Sequence, residues 1–206
     1  MPVLVTNMTR NEDLGRLSDA ESAEAREKEI SLSTPEEYIP MGKYDGALYA
    51  VYKNNAASRT LKAVSAASVV LCVAIFVAAM VFYGISDWKI PVKLAVVSGV
   101  PFILVTVFRK LLNFPRPYEV LTFYRQAPRR KRGQSFPSRH VFSIFVIGAS
   151  LCFVNPPLGV SLMITGLALA ASRVLLGIHF IRDVLAGALI GIVSGAVGML
   201  IANAVF

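Results

Sequence analysis

The segment SRVLLGIHFIRD, residues 172–183, places four ionisable side chains between two long apolar runs. His179 and Asp183 are four residues apart, so on a helical continuation they share one face, where the carboxylate can fix the imidazole tautomer and raise its basicity. Such a pair can serve as a nucleophile or as a general base. The pair could equally form a structural hydrogen bond. The residues around it help to decide between a catalytic and a structural role.

Two further basic clusters, RKLLNFPRP at 109–117 and FPSRH at 136–140, stand at the ends of other apolar runs. Guanidinium forks, a serine hydroxyl and histidines, without a metal-rich set of carboxylates, are typical of a site that binds a phosphoryl group. Basic residues at the end of a span are often simple interfacial anchors, which is the favoured interpretation of Lys110 by itself. The candidate phosphate-binding residues are Arg109, Lys110, Arg116, Ser138, Arg139 and Arg173.

The amino-acid composition indicates the class of protein and the charge of its partner. Hydrophobic residues make up 55% and charged residues 17%, which indicates a membrane protein. Residues 1–45 hold ten acidic and five basic residues, whereas residues 46–206 hold three acidic and sixteen basic ones. A basic body of this kind indicates an anionic partner, which could be a lipid headgroup, a phosphate or a nucleic acid.

Five apolar segments predict an all-α integral membrane bundle of about five transmembrane helices. Residues 63–86 carry no charge and, at 1.5 Å per residue, exceed the roughly 30 Å apolar thickness of a bilayer. The sequence NPP at 155–157 divides another uncharged stretch into a helical hairpin. The predicted spans are 63–86, 90–108, 137–154, 158–177 and 184–206. They form a transmembrane domain at 61–206, after an acidic solvated tail at 1–45 and an interfacial segment at 46–60.

The last span carries glycine at every fourth position, at Gly187, Gly191 and Gly195. This spacing leaves one helix face without side chains, so that a neighbouring backbone can approach closely. Packing within the bundle is the favoured interpretation of this face. A homodimer through the same three glycines is the alternative.

The order and spacing of the three clusters resemble the type 2 phosphatidic acid phosphatases and their relatives among the vanadium haloperoxidases. Their motifs are a lysine, six residues and Arg-Pro; Pro-Ser-Gly-His; and Ser-Arg, five residues, His, three residues and Asp. The third motif is met in full from Ser172 to Asp183. Arg139 replaces the glycine of the second motif, and Arg109 replaces the lysine of the first. The resemblance covers about residues 60–206.

This resemblance implies a metal-independent phosphatase that needs no cofactor. His179 would attack phosphorus and form a phosphohistidine, Asp183 would orient the imidazole, and His140 would protonate the leaving oxygen. The nonbridging oxygens would be held by Arg109, Arg116, Ser138 and Arg173. Arginine in place of glycine at 139 adds bulk and charge where a backbone N–H could approach a ligand. Arg139 either contacts the phosphate or turns to the headgroup layer.

The expected reaction is hydrolysis of a lipid phosphate monoester or pyrophosphate, of the phosphatidic acid, phosphatidylglycerophosphate or polyprenyl phosphate type. The apolar surroundings favour a lipid substrate over a soluble one. The alternative is a non-enzymatic carrier or binder of anionic phospholipids or polyprenyl phosphates. Both histidines and Asp183 argue against it, because binding needs only the arginines. Nucleic acid is not an expected partner, since the basic run at 129–133 is short and adjoins a membrane face.

The distribution of basic residues predicts which side of the membrane the clusters face. Lys53, Arg59 and Lys62 precede the first span, which places that end in the cytoplasm by the positive-inside rule. The loop at 109–139 returns to the same side and carries Arg125 and the run RRKR at 129–132. The chain is therefore expected in the cytoplasmic or plasma membrane, with its active site on the cytosolic face.

Overall fold

The computed structural model describes residues 43–120 and 132–205, and helices account for most of them. Most of the predicted acidic tail and most of the basic run at 129–132 lie outside these ranges. No strand occurs within the two described ranges. The helices are α1 (Lys43–Lys53), α2 (Asn55–Ser86), α3 (Lys89–Leu112), α4 (Pro117–Val120), α5 (Arg139–Cys152), α6 (Pro156–Leu175) and α7 (Ile181–Val205).

Four of the described helices, α2, α3, α6 and α7, are long and apolar enough to cross a bilayer, and α5 is a shorter apolar helix. Large apolar side chains such as Phe82, Leu104 and Leu189 are exposed along their outer faces. In water such a surface would be an unusually large apolar patch, but lipid tails satisfy it. The predicted all-α membrane bundle is therefore confirmed, and the chain is an integral membrane protein.

The predicted interfacial segment is helical on both sides of Asn54, and its second part forms the start of α2. The side chain of Asn54 accepts hydrogen bonds from the backbone N–H groups of Ala56 and Ala57, each at 3.0 Å, and so caps the start of α2. α2 thus begins at Asn55, ahead of the predicted start of the span at residue 63. Leu48 of α1 is fully buried, so α1 packs against the bundle.

The turn after α5 explains how the helical hairpin forms. The Asn155 side chain accepts a hydrogen bond from the backbone N–H of Leu158 at 3.1 Å, and prolines fill the first positions of α6. The amide of Asn155 also donates to the hydroxyl of Tyr83 at 3.1 Å, which fastens the turn to the end of α2. The hairpin predicted from NPP at 155–157 is present, with helices of 14 and 20 residues.

The central helix of the bundle is α5, which packs most extensively against α7 and then against α6. Most of its side chains are buried. Its 14 residues extend about 21 Å at 1.5 Å per residue. This length is less than the roughly 30 Å apolar thickness of a bilayer. α5 therefore cannot reach both faces of the apolar layer, whereas α2, α3 and α7 can.

The glycine face of α7 lies directly against α5. A Cβ atom added at Gly187, Gly191 or Gly195 would come within 2.7 Å of a backbone carbonyl oxygen of α5 or of its N-cap residue. All three glycines are buried. Packing within the bundle, the favoured interpretation of this face, is therefore present, because the missing side chains let two helices of the same chain approach closely. The alternative, a homodimer through these glycines, is not supported, because α5 already covers the face.

Candidate active site

The three basic clusters meet at one end of the bundle. The C-terminal ends of α3 and α6, the N-terminal end of α5 and the turn before α7 surround a cavity of about 90 Å³, here called the basic cavity. The residues that line it are Thr106, Arg109, Lys110, Arg116, Gln134, Arg139, His140, Arg173, Ile178 and His179. Seven of the nine candidate site residues thus line a single cavity, and the other two, Ser138 and Asp183, lie beside it.

The turn that ends α6 positions the first cluster. Gly177 has a φ of +63°, which favours glycine. Its N–H donates to the carbonyl of Val174 at 2.9 Å, and the N–H of Ile178 donates to the carbonyl of Arg173 at 3.0 Å. These two hydrogen bonds form a Schellman motif, which stops the helix and turns the chain towards α7.

His179 stands in this turn, whereas Asp183 lies in the first turn of α7. The expectation that both share the face of one continuous helix is wrong, because the helix is interrupted between residues 175 and 181. The pair nevertheless meets. The Asp183 carboxylate accepts a hydrogen bond from the backbone N–H of Phe180 at 3.1 Å and lies 3.7 Å from Nδ1 of His179.

Ser135 completes the pair, although the sequence did not single it out. Its hydroxyl donates a hydrogen bond to Oδ2 of Asp183, and its oxygen lies 3.4 Å from Nδ1 of His179. Because the only hydroxyl proton goes to the carboxylate, the oxygen is left to accept from an N–H at Nδ1. This arrangement favours the tautomer of His179 whose Nε2 is unprotonated and so able to attack.

The environment of His179 also favours a neutral ring. The residue is 2% exposed, and this burial lowers the pKa of its imidazole below the ordinary value of about 6.5. Asp183 raises this pKa in part, whereas the charges of Arg116 and Arg109 lower it further. The ring is therefore neutral near pH 7, which is the state that a nucleophile requires.

Permanent positive charge surrounds this histidine. None of the described residues that line the basic cavity is acidic. The Nε atom of Arg173 is buried without a hydrogen-bond partner, so this donor remains for a ligand. A site with this surplus of donors and charge is suited to an anion with several oxygens. Its permanent cations are Arg109, Lys110, Arg116, Arg139 and Arg173.

Arg109 holds the segment before α5 as well as lining the cavity. Its two terminal nitrogens donate to the backbone carbonyl oxygens of Pro137 and Gln134. A guanidinium has five N–H groups and a lysine ammonium three. Arginine at the family's lysine position can therefore hold two carbonyls and still present a donor to the cavity.

The same segment is held further upstream by an acidic residue. Gly133, whose φ is +65°, donates its N–H to Oε1 of Glu119 at 2.7 Å. Its carbonyl accepts from Nε of Arg116 at 2.9 Å. Glu119 is one of the three acidic residues after position 45. In the structure its carboxylate binds the segment that leads into α5.

Ser138 lies beside the basic cavity but does not line it. It is the N-cap residue of α5 and is fully buried, and its hydroxyl has no hydrogen-bond partner. Its backbone N–H donates to the carbonyl of Asp183 at 2.9 Å, which joins the starts of α5 and α7. The expected contact between its hydroxyl and a phosphate stays a prediction.

Two larger cavities adjoin the basic cavity. The first, here called the apolar chamber, has a volume of about 650 Å³ and lies between α2, α3, α5 and α6, lined mainly by side chains such as Val69, Phe76 and Ile144. The second, here called the lateral groove, measures about 400 Å³ and is lined by residues of α2 and by the end of α6. His140 lines all three of these cavities, and Arg139 lines the basic cavity and the apolar chamber.

The fold and the site define an α-helical integral membrane protein with a basic cavity around a histidine–aspartate pair. The family description "PAP2 superfamily" matches residues 90–206, which is more than half of the chain and includes all three clusters. The chain therefore belongs to the PAP2 superfamily. This confirms the family that the three motifs indicated.

The chain is also similar to individual known proteins. The chain is 28% identical over 127 residues to undecaprenyl-diphosphatase BcrC of Bacillus subtilis strain 168, a match that covers 61% of this chain and 65% of that protein. It therefore spans just under two thirds of that relative's length. The fold is shared with the crystal structure of Aquifex aeolicus LpxE. That match covers 81% of this chain and 98% of the LpxE chain, with a TM-score of 0.61 and 20% sequence identity. A PAP2-type phosphatidylglycerolphosphate phosphatase from Bacillus subtilis covers 79% of this chain and 94% of its own, with 20% identity and a TM-score of only 0.38.

Proposed function

We propose that this chain is a membrane phosphatase that removes the terminal phosphate of a lipid phosphate monoester or diphosphate through a phosphohistidine on His179. One observation carries the proposal: a buried His179, backed by Ser135 and Asp183, lines a small cavity that also holds five permanent cations. Membership of the PAP2 superfamily and the similarity to an undecaprenyl-diphosphatase support the same reaction class.

In this proposal Nε2 of His179 attacks phosphorus, and the phosphorus–oxygen bond to the lipid breaks with its electron pair left on oxygen. His140 lines the same cavity; the bound phosphate dianion offsets the surrounding cations, so His140 takes up a proton when the substrate binds and gives it to that oxygen. A water molecule then returns a proton to His140 as it attacks the phosphohistidine, the phosphorus–nitrogen bond breaks, and inorganic phosphate is released. Guanidinium groups hold the nonbridging oxygens throughout.

The lipid character of the substrate is supported by the apolar chamber. Its volume of about 650 Å³ falls within the roughly 300–1,000 Å³ of typical ligand pockets. It adjoins the basic cavity through Arg139 and His140. A phosphoryl group in the basic cavity therefore has space for an attached hydrocarbon next to it.

Purified protein should release inorganic phosphate from lipid phosphates in the presence of EDTA, and orthovanadate should inhibit the release. Vanadate can adopt the five-coordinate geometry of phosphoryl transfer, which a donor-rich cavity stabilises. The assay uses phosphatidic acid, phosphatidylglycerophosphate, and polyprenyl mono- and diphosphate. Activity that EDTA removes, or that vanadate leaves unchanged, would contradict the histidine mechanism. Saturable binding of these lipids without release of phosphate would favour the non-enzymatic binder.

We further propose that the protein lies in the plasma membrane and that its basic cavity is on the cytosolic side. Arg59, Lys62 and Arg132 add basic charge to the end of the bundle that holds the site, whereas Lys89 and Lys93 are the basic residues near the opposite end. This asymmetry supports the orientation that the positive-inside rule predicts.

Labelling of single cysteines tests this orientation. In a background with Cys72 and Cys152 replaced by alanine, cysteine is placed at Ser86 or at Val120, both of which are exposed and lie at opposite ends of the bundle. An impermeant thiol reagent outside intact cells should label position 86 and leave position 120 unlabelled. Permeabilised cells, where both positions should react, provide the control. Labelling at 120 alone would place the site outside.

A further inference from the structure

Arg139 occupies the junction between the basic cavity and the apolar chamber. Of the described residues that line these two cavities, Arg139 and His140 are shared by both. A ligand with a phosphoryl group in one cavity and a hydrocarbon in the other must therefore pass these two side chains. The atoms that link phosphate to lipid then lie next to Arg139, at a position where the family motif has only glycine.

The Arg139 guanidinium is held at this junction by an aromatic ring. Its central carbon lies 5.6 Å from the centroid of the Phe102 ring, and Phe102 lines the apolar chamber. A cation–π contact uses the flat face of the guanidinium and leaves the N–H groups along its edge free to donate. Arg139 thus offers oriented donors beside the chamber at the position of the linking atoms.

The basic cavity has room for one phosphate but more positive charge than one phosphate offsets. Its volume of about 90 Å³ is well below the roughly 300–1,000 Å³ of typical ligand pockets, which suits a single phosphoryl group. A phosphate monoester carries about −1.5 to −2 charges near pH 7, whereas five permanent cations line the cavity. A second phosphate at the junction would offset part of this surplus without having to fit inside the basic cavity.

We propose that Arg139 binds the lipid-attached phosphate of a lipid diphosphate and makes the protein selective for diphosphates over monoesters. This inference rests on the proposed function. When the terminal phosphorus–oxygen bond of a diphosphate breaks, its electron pair stays on the bridging oxygen, so negative charge develops beside Arg139 before the departing lipid monophosphate takes the proton of His140. With a monoester, the leaving oxygen takes a proton from His140 and becomes a neutral alcohol, so Arg139 has no charge to stabilise.

The test is to replace Arg139 with glycine, the residue of the family motif. kcat/KM is measured for two substrate pairs that each share a lipid chain: farnesyl diphosphate with farnesyl phosphate, and diacylglycerol diphosphate with phosphatidic acid. Arg139→Gly should lower kcat/KM for both diphosphates about 10- to 100-fold more than it lowers kcat/KM for both monoesters, because the charge-assisted contact with the second phosphate is lost. Arg139→Lys should fall between, since lysine keeps the charge without the fork.

Arg59→Gly is the matched control. It removes an arginine from the first turns of α2 at the same end of the bundle, and Arg59 is exposed and lines none of the three cavities. Its diphosphate-to-monoester ratio should equal that of the wild type. If Arg139→Gly lowers thermal stability more than Arg59→Gly does, the diphosphate-to-monoester ratio of Arg139→Lys is compared with that of the wild type instead.

Two outcomes would overturn the role of Arg139 while the proposed function stands. In one, the wild type hydrolyses these lipids, but Arg139→Gly leaves the ratio unchanged. In the other, all four substrates lose activity equally, which describes a general anion contact. A wild type that releases phosphate from none of the four substrates would instead refute the proposed function itself.

Discussion

Replacing His179 with alanine is expected to abolish the phosphoenzyme and to lower kcat by at least about 10⁴-fold, the order of loss that follows removal of a covalent nucleophile. The imidazole is the only group that can form the covalent bond to phosphorus in the proposed reaction. Rapid quenching with a radiolabelled lipid phosphate should trap an acid-labile phosphohistidine in the wild type and none in the variant. Turnover near the wild-type rate in His179→Ala would show that the nucleophile is misassigned.

His140→Ala is the matched control, since it removes the same type of side chain from the same cavity. This variant should still form the phosphoenzyme, but slowly when the leaving group is an alcohol. p-Nitrophenyl phosphate should be affected much less, because nitrophenolate leaves without a proton. An equal loss on both kinds of substrate would remove His140 from the role of general acid.

Asp183→Asn is expected to lower kcat about 10²- to 10⁴-fold with little effect on folding, by analogy with other carboxylates that orient a catalytic imidazole. The amide oxygen can still accept from Ser135 and from the backbone N–H of Phe180, but the negative charge beside Nδ1 of His179 is lost. Thermal unfolding of the wild type and the variant should therefore be similar.

The pH dependence separates this positioning role from a purely structural one. Activity should fall as the pH drops through the pKa of His179, which burial places below about 6.5, because the protonated ring cannot attack. Asp183 raises that pKa, so removing its charge should move the acid limb of kcat/KM to a lower pH. A variant with reduced activity and an unmoved acid limb would indicate that Asp183 acts through packing alone.

The convergence of the clusters was predictable because ionisable side chains are costly in a membrane. An ionised group at bilayer depth costs on the order of 2.5–3.5 kcal/mol on insertion scales, so its presence at the end of a span indicates a use. His140, His179 and Asp183 stand out for this reason. Uncharged segments of spanning length then fix which ends of the helices meet.

Other parts of the site cannot be recognised from the sequence. Ser135 is one of many serines, and only the folded turn shows that its hydroxyl lies between His179 and Asp183. The contacts of Arg109 with two backbone carbonyls depend equally on the conformation of the segment before α5. The glycine spacing in α7 predicted close helix packing, but spacing alone is the same whether the partner is α5 or a second copy.

The short central helix has a consequence for the membrane around the protein. α2 and α3 are long enough to reach both surfaces of the apolar layer, but α5 is not, and the basic cavity lies at its N-terminal end, where His140 stands. A thicker bilayer therefore moves the headgroup plane away from the basic cavity, and hydrophobic mismatch costs fractions of a kcal/mol per Å. In the proposed reaction, the distance that a lipid headgroup must sink before it can react is thus set jointly by the protein and by the acyl chains of the surrounding lipids, and we expect turnover to depend on host lipid composition.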